Sequence, residues 1–379
     1  MKSLFVYVLI FLSSLRAVGS GTDAVQKESE WHMFRGGQQQ LGMAAGSLPP
    51  ELSLHWTFQT GGPVKSSAVV AESKVFVGSH DKNIYALELD SGNRIWAYET
   101  EDIIEAPPMY LDGRIIVGSA DGFLYCLDAG TGELIWRFET TDQILGSANW
   151  VYSPDRENKW VVFGSYDGRI YCVDFETGEL NWHYGTQNYI NGSPAISDDT
   201  VAAGGCDAFV YRLSAADGRE LGALDSGAYI AASIASTGDR VYIGNYGNEF
   251  LCIDLSEQQV IWRYKHRNFP YFSSAAVTDH LVVFGGRDRL LHCVKRDTGE
   301  GVWTFRTRGK VDSSPVICGD EVVVGSEDGR LYRIRLSDGS QVWSYEIGEG
   351  IISSPAVAGG KVVIGADDGR VYLFGAKAD

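Results

Sequence analysis

The sequence is poor in positive charge and in long apolar runs. It contains 32 Lys and Arg against 49 Asp and Glu in 379 residues, which gives a formal net charge of −17. An acidic surface of this kind repels nucleic acid and anionic membranes, so we expect neither as a partner. The apolar run from Leu4 to Leu12 is about half of the ~20 residues that a membrane-spanning helix needs, and no other stretch stays apolar for longer. The sequence therefore predicts a protein that does not span a membrane.

Catalytic and metal-binding signatures are also missing. The sequence has no H-E-x-x-H, C-x-x-C, G-x-S-x-G or phosphate-loop pattern, the patterns in which residue spacing itself points to chemistry. Its seven histidines show no metal-ligand spacing. From the motifs we predict no catalytic residue, no metal ligand and no cofactor.

The N-terminus has the three parts of a secretory signal peptide. Lys2 supplies a positive charge, the apolar run follows, and Ala17-Val18-Gly19 offers a small-residue cleavage site. We predict a signal peptide over residues 1–19 and a lead-in segment over 20–50. The mature protein is expected to be soluble, periplasmic or secreted. It is not expected to carry a lipid anchor, because the first cysteine is Cys126.

A repeat of about 40 residues fills the rest of the chain. Its consensus reads S-S-P-A-V, a turn, V-V-x-G-S-x-D-G-x-L-Y-x-L-D, a T-G turn, and x-x-W-x-F. The glycine that opens the G-S-x-D-G turn recurs eight times: Gly78, Gly118, Gly164, Gly204, Gly244, Gly285, Gly325 and Gly365. A tryptophan keeps the same phase, with one glycine in its place: Trp56, Trp96, Trp136, Trp182, Gly222, Trp262, Trp303 and Trp343. Two markers in one register make a chance repeat implausible.

Each repeat contains four short stretches rich in Val, Ile and Tyr, separated by Gly and Asp turn signals, which is typical of four β-strands. Four strands per unit at this period predict an all-β, eight-bladed propeller, and we expect it to span residues 51–379 as one domain. A lone strand at Leu54 to Phe58 should complete the last blade and remove its open edge. The recurring Asp of the turn is interpreted as a cap of its own turn rather than a calcium ligand.

Four of the six cysteines recur at one position of the repeat: Cys126, Cys172, Cys252 and Cys293. Equivalent positions of successive blades cannot reach disulfide geometry, so we expect these four to be small buried hydrophobic residues. His292 occupies the tyrosine position of its repeat and is interpreted as a packed ring. Cys206 and Cys318 lie elsewhere in their repeats, and the sequence leaves their state open.

The stretch from Leu127 through Thr131-Gly132 to Trp136 resembles the tryptophan-docking repeat of the quinoprotein (pyrroloquinoline quinone, PQQ) propellers. Asp297-Thr298-Gly299 before Trp303 is similar, and the segment from Trp31 to Gly36 resembles the lead-in of the small exported members. The resemblance implies that the repeat tryptophans glue neighbouring blades together. It leaves two branches open: PQQ- and calcium-dependent dehydrogenases, and noncatalytic members such as the propeller lipoprotein of the outer-membrane β-barrel assembly machine.

The sequence favours the noncatalytic branch, because it lacks the adjacent cysteine pair and the long insertions that the resemblance would require of a dehydrogenase. We expect a monomeric binding or protein-assembly scaffold with a protein partner or a small polar ligand. The alternatives are a PQQ-dependent oxidoreductase, with calcium, and a glycan-binding propeller.

A propeller's ligand site is expected where the repeat fails, on the face that carries the fourth-to-first-strand loops and the second-to-third-strand turns. The fifth and sixth repeat units, counted by the tryptophan position from Trp56, depart most, with Gly222 for tryptophan, Asn245 to Asn248 for the usual turn, and a loop from His266 to Phe272. Aromatic and polar groups around a funnel mouth suit a polar ligand or a peptide edge. The predicted site residues are Lys65, Glu105, Gln143, Tyr189, Asn191, Tyr229, Tyr246, Arg267, Tyr271, Phe272, Arg287, Lys310 and Asp312.

Overall fold

Eight antiparallel four-stranded blades form a closed ring in the computed structural model, which describes residues 30–377, and a short fifth strand extends one of the eight sheets. The predicted eight-bladed, all-β propeller is therefore confirmed. The predicted signal peptide lies outside the described residues. Within 30–377, no helix is long and apolar enough to cross a membrane.

The blades are numbered in chain order, and in each of the first seven the four strands follow one another from the axis outward. Blades one to four comprise β3 Val69–Ala71, β4 Lys74–Gly78, β5 Asn83–Glu88, β6 Arg94–Glu99; β7 Met109–Leu111, β8 Arg114–Gly118, β9 Phe123–Asp128, β10 Leu134–Glu139; β11 Asn149–Tyr152, β12 Lys159–Ser165, β13 Arg169–Asp174, β14 Leu180–Gly185; and β15 Ala195–Ser197, β16 Thr200–Gly204, β17 Phe209–Ser214, β18 Glu220–Asp225.

Blades five to eight have the same order, except that the last blade takes its outer strand from the N-terminal side of the chain. They comprise β19 Ala235–Thr237, β20 Arg240–Gly244, β21 Phe250–Asp254, β22 Gln259–Tyr264; β23 Ala276–Val277, β24 Leu281–Gly285, β25 Leu290–Lys295, β26 Gly301–Arg306; β27 Val316–Cys318, β28 Glu321–Gly325, β29 Arg330–Arg335, β30 Gln341–Glu346; and β31 Ala356–Ala358, β32 Lys361–Gly365, β33 Arg370–Ala376, β2 Leu52–Gln59.

The ring closes through β2, as predicted. This strand pairs antiparallel with β33, so the first strand of the repeat region becomes the outer strand of blade eight. Closure satisfies the backbone groups of β33, which would otherwise form an unpaired sheet edge.

Both markers of the repeat are contacts between neighbouring blades. A Cβ atom added to Gly118 would lie 2.3 Å from Cγ2 of Ile144 in the next blade, so the close approach of the two sheets requires glycine. Trp136 lies over Gly178 of the next blade and donates its indole N–H to the carbonyl oxygen of Phe175 at 2.9 Å. A β-bulge precedes the tryptophan position in every blade and turns its side chain toward the neighbour.

The lead-in segment, residues 30–50, runs across the face where the first and second strands of the blades join, here called the lower face. It contains a one-turn 3₁₀ helix, Phe34–Gly36, and β1, Met43–Ala44, which pairs parallel with β27. Its backbone carbonyls accept hydrogen bonds from equivalent amides of six first strands: Val70, Tyr110, Ile196, Ser236, Val277 and Ile317. The segment therefore follows the ring around and covers its lower end.

All six cysteines are free thiols. Cys126, Cys172, Cys252 and Cys293 are completely buried, as the repeat predicts. Cys318 is also buried, and its Sγ lies 3.6 Å from the carbonyl oxygen of Gly46 in the lead-in segment. Burial raises the pKa of the Cys126 and Cys293 thiols to about 12, so neither is a nucleophile at neutral pH.

Candidate functional site

The opposite face, here called the upper face, carries the fourth-to-first-strand loops and the second-to-third-strand turns. Backbone hydrogen bonds join the two sets of loops, for example from the amide of His80 to Pro63 and from that of Tyr166 to Gln143. Short inner strands begin at this face with pairs of small residues, so the predicted site residues that precede these pairs ring the axis.

Five aromatic side chains lie on this face in two groups, together called the aromatic rim: Tyr166 with Tyr189, and Tyr229 with Tyr246 and Phe272. Tyr166 and Tyr189 are stacked with their centroids 5.0 Å apart, and Tyr246 lies 4.5 Å from Phe272. Tyr229 meets Tyr246 edge-on at 6.4 Å. Tyr189, Tyr229 and Tyr246 are 48%, 56% and 48% exposed, so the rim leaves a large area of aromatic surface in water. Exposed aromatic surface that is already clustered is typical of a binding site.

Cations and carboxylates occupy the rest of the mouth, here called the charged rim. Arg287 donates to both carboxylate oxygens of Asp312, at 2.6 Å for the shortest pair, and its guanidinium lies 3.7 Å from the centroid of Phe272. Lys65 and Glu105 form an ion pair at 3.4 Å. Arg287 therefore links the two rims, because its guanidinium contacts Phe272 of the aromatic rim and Asp312 of the charged rim.

Two further predicted residues take part in these contacts. Asn191 accepts a hydrogen bond from the Tyr166 hydroxyl at 2.9 Å, and Lys310 pairs with Glu327 at 3.4 Å. Burial raises the pKa of Tyr166 to about 12, so its hydroxyl remains a donor at neutral pH. Tyr166 is not among the predicted site residues given above, although it occupies the same turn position as Tyr246 and the sequence pattern places it on this face.

The side chains of Tyr271, Arg267 and Gln143 take no part in the rim contacts described above. Tyr271 is only 1% exposed and fills the position that Ile or Val holds in the other blades, against Gly244. It is therefore not on the surface where the sequence analysis expected it. Arg267 is exposed in the loop after β22, and Gln143 borders a shallow depression with Asp121.

A family model described as "Outer membrane protein assembly factor BamB" matches residues 101–222, 206–271 and 271–378. These matches cover more than half of the sequence. The chain belongs to this family of BamB-type propeller repeat proteins. No curated protein sequence matches it significantly.

Solved structures support the fold of this BamB-type propeller. BamB from Moraxella catarrhalis is 19% identical with a TM-score of 0.69, covering 87% of this chain and 99% of that one. The computationally designed Ika8 protein is 19% identical with a TM-score of 0.73, covering 87% and 98%. Quinohemoprotein alcohol dehydrogenase from Comamonas testosteroni is 14% identical with a TM-score of 0.79, covering 96% and 83%. At these identities the likeness is one of fold.

Packing explains one departure from the repeat in this BamB-type chain. Blade four has Gly222 in place of tryptophan, and the glycine on which that tryptophan would lie is replaced by Gln258 in blade five. A Cβ atom on Gly222 would come within 2.6 Å of Nε2 of Gln258. The bulky side chain has therefore moved to the other side of the blade interface, and the departure fills space instead of marking a ligand site.

A second departure from the repeat, in blade six, brings two histidines together, and blade two shows the usual arrangement for comparison. There, Asp121 accepts hydrogen bonds from the Tyr125 hydroxyl at 2.8 Å and from the amide of Glu101 in the preceding blade at 2.9 Å. Thr100 and Ser119 complete that cluster. The recurring Asp thus joins its own turn to the neighbouring blade, which agrees with the structural role expected for it.

In blade six the same four positions hold His266, Gly286, Asp288 and His292. Asp288 lies 3.1 Å from Nε2 of His292 and 3.3 Å from Nδ1 of His266. A Cβ atom on Gly286 would be 2.6 Å from Oδ1 of Asp288 and 3.1 Å from Nε2 of His292, so glycine makes room for the second ring. His292 is completely buried, as the sequence analysis expected of a packed ring.

The ligand atoms of His266, Asp288 and His292 lie within 4.8 Å of one another, so two imidazoles and one carboxylate could hold a transition-metal ion. Spacing rules missed this group because its members come from three different loops and strands. Without a metal the cluster is satisfied: His292 contacts Asp288 through Nε2 and the Tyr264 hydroxyl through Nδ1 at 3.1 Å. Burial lowers the pKa of His292 in spite of its carboxylate partner, which keeps the ring neutral.

The residues of the mouth do not fit PQQ with calcium. PQQ carries carboxylates that need free cations, whereas Lys65, Arg287 and Lys310 already have carboxylate partners. The aromatic rim contains tyrosine and phenylalanine, not the stacking tryptophan that the dehydrogenase branch implies. The cluster around Asp288 is rich in nitrogen, whereas calcium prefers oxygen ligands.

Proposed function

We propose that this chain is a noncatalytic, exported scaffold that binds a protein partner through the aromatic rim of its upper face. The exposed and preassembled rim is the observation that carries the proposal. Aromatic side chains dominate the energetics of protein interfaces because they bury a large area at a low cost in conformational entropy. The lead-in segment covers the lower end of the ring, so the axis is approached from the upper face.

The family match suggests the class of partner. Since the matching model is described as an outer membrane protein assembly factor, we propose that the partner belongs to the machinery that assembles outer-membrane proteins. Export through the predicted signal peptide, with residence in the periplasm, is part of the same proposal.

A cross-linking capture experiment tests the proposal. Tagged mature protein is mixed with the envelope of its own source, cross-linked, and its partners are identified by mass spectrometry. We expect an assembly component to be enriched, and we expect the Tyr189→Ala/Tyr229→Ala/Tyr246→Ala variant to lose it. One aromatic hot spot contributes roughly 2 kcal/mol, or about a thirtyfold change in affinity.

Tyr152→Ala is the matched control. Tyr152 is 47% exposed, about as much as the rim tyrosines, but it lies at the end of a first strand near the lower face. The proposal is wrong if the rim variant and the Tyr152 variant capture the same component equally well.

The alternatives have direct tests of their own. PQQ with calcium is expected to leave the melting temperature unchanged, because Lys65, Arg287 and Lys310 already have carboxylate partners. A clear rise would favour an oxidoreductase. The aromatic rim also suits a sugar ring, so binding on a glycan array that is lost in the rim variant would favour a lectin.

A further inference from the structure

A buried arginine of the lead-in segment has no counter-ion within residues 30–377 and lies against the start of the first strand of blade six. Arg35 of the lead-in segment is 2% exposed, and its Nη2 donates to the carbonyl oxygen of Ala275 at 2.7 Å. Its Nε and Nη1 have no hydrogen-bond partner, and it forms no ion pair with any acidic side chain of residues 30–377. Burial lowers the pKa of Arg35 to about 9, so the group stays charged at neutral pH.

Arg333 shows how the same protein satisfies a second buried guanidinium. Arg333 is 1% exposed, its Nε donates to Glu321 at 2.8 Å, and its Nη1 donates to the carbonyl oxygen of Pro49 at 2.9 Å. A buried charge is strongly destabilising unless it is paired. Among residues 30–377, Arg333 meets this requirement, whereas Arg35 does not.

Hydroxyl groups surround the axis immediately above Arg35. The second small residue of each first strand is serine in every blade except blade two, and the set is here called the serine ring: Ser67, Ser147, Ser193, Ser233, Ser274, Ser314 and Ser354. Around the ring, the backbone amide of each serine from Ser147 to Ser354 donates to the hydroxyl oxygen of the next.

Six hydroxyl groups of the serine ring accept an amide hydrogen bond in this way and have no acceptor of their own within residues 30–377: those of Ser67, Ser193, Ser233, Ser274, Ser314 and Ser354. The seventh, Ser147, donates to the carbonyl oxygen of Ala148. Ala275, which holds the Arg35 guanidinium, directly follows Ser274. One residue of a strand rises about 3.3 Å, so the guanidinium and the donors of the ring lie at neighbouring levels of the axis.

Gln40 reaches the same level on the other side of the ring. Its Nε2 donates to the carbonyl oxygen of Pro194, which follows Ser193, at 2.8 Å, and its Oε1 is buried without a donor. This oxygen calls for a water molecule as donor. The level below the serine ring therefore presents the positive charge of Arg35, several hydroxyl groups, the side-chain acceptor Oε1 of Gln40, and backbone carbonyl oxygens such as those of Ala275 and Pro194.

We propose that the lower end of the axis is a binding site for one small anion, held by the Arg35 guanidinium and by hydroxyl groups of the serine ring, with a water molecule on Gln40. The donors are fixed before binding, which keeps the cost of organising the site low. The carboxylates of the charged rim lie at the mouth, two residues or more further up the strands, and are paired there with their own cations. The site does not depend on the partner proposed for the upper face.

Thermal unfolding at constant ionic strength tests the site with chloride, exchanged for the bulky anion gluconate. An anion that binds only the folded protein raises the melting temperature by about 2 °C for each tenfold increase in its concentration above Kd. We expect this rise in the wild-type protein, its loss in Arg35→Met, and its retention in Arg156→Met. Arg156 lines the same face near Arg35 but is exposed and paired with Asp199 at 3.3 Å.

Equal chloride responses in the wild-type protein and Arg35→Met would overturn the proposal. Since the Arg35 variant could fail to fold, bromide in crystals of the wild-type protein provides a second measurement. We expect one anomalous bromide peak at hydrogen-bond distance from the guanidinium. Ordinary water density there, with bromide peaks only at the surface, would show that solvent alone satisfies Arg35 and would equally overturn the proposal.

Discussion

Gly178→Ala tests whether the tryptophan contact holds neighbouring blades together. Gly178 has φ +73°, and an added Cβ atom would lie 2.7 Å from Cδ2 and 2.8 Å from Cε3 of Trp136. The ring cannot easily retreat, because it is 8% exposed and its indole N–H is bonded to Phe175. The substitution therefore combines backbone strain with a steric clash.

Gly113→Ala separates the two costs. Gly113 has φ +77°, nearly the same backbone conformation, but a Cβ atom there would meet nothing within 4 Å. The left-handed conformation costs a non-glycine residue about 1–2 kcal/mol in both variants. Overpacking adds about 1–3 kcal/mol at Gly178 alone. We therefore expect Gly178→Ala to lower the free energy of unfolding by about 2–5 kcal/mol and Gly113→Ala by about 1–2 kcal/mol.

Urea unfolding followed by tryptophan fluorescence and circular dichroism gives both free energies. Repeating Gly178→Ala in a Trp136→Ala background completes a double-mutant cycle, in which the cost at Gly178 should fall to the Gly113 value because the clash is gone. Equal costs for the two single variants, or the same Gly178 cost in both backgrounds, would refute the idea that the indole and the glycine are packed in direct contact.

Three further predictions follow from buried polar groups. Asp121→Asn should lower the free energy of unfolding by about 3 kcal/mol, measured by urea titration, because one of the carboxylate oxygens that accept three hydrogen bonds becomes a donor. Arg333→Met should cost about 3–5 kcal/mol in the same assay, since it leaves Glu321 in a half-buried site without its partner. Burial lowers the pKa of His292 in the folded state. The contribution of His292 to stability is therefore complete above the unfolded pKa of about 6.5 and is lost as the pH falls below that value. His292→Tyr should remove up to about 2 kcal/mol of the stability loss between pH 6.5 and pH 5, measured by unfolding at each pH.

Controls and contrary results are specific to each of these variants. His280 is exposed in a loop, so His280→Gln should leave the pH dependence unchanged, and an identical profile for His292→Tyr and the wild-type protein would contradict the buried neutral ring. Asp90→Asn, at an exposed turn, should be near neutral. An Arg333→Met variant as stable as the wild-type protein would show that Glu321 finds water when its partner is removed.

The ring could be predicted from the sequence because each blade repeats the same two physical requirements. Gly118 leaves space for Ile144, and Gly178 leaves space for Trp136. The spacing of glycine and tryptophan therefore follows the interfaces between blades. The closing strand β2 could be predicted from the sequence for the same reason, since Trp56 keeps the spacing of the other repeat tryptophans. Local spacing carries this information directly.

The upper face was predicted less completely. The repeat shows where each loop lies, but not which side chain enters the core when a loop has an extra residue. The loop from His266 to Phe272 is longer than its equivalents, which allows Tyr271 to enter the core in place of Ile or Val. Two histidines that meet at Asp288 come from separate loops and strands, and no spacing rule connects them.

The contacts of the lead-in segment could not be predicted from the sequence, for a different reason. Its residues do not repeat, and their partners lie far away in the chain: Arg35 is bonded to Ala275, and Gln40 to Pro194. Departures from the repeat that serve packing can nevertheless be distinguished from those that serve binding, by asking whether packing alone accounts for them. Gly222 with Gln258 is an exchange of a large and a small side chain across one blade interface, so packing accounts for it. Arg35 leaves a buried charge that the described chain does not neutralise. Packing does not account for such a charge, which points to a ligand for it.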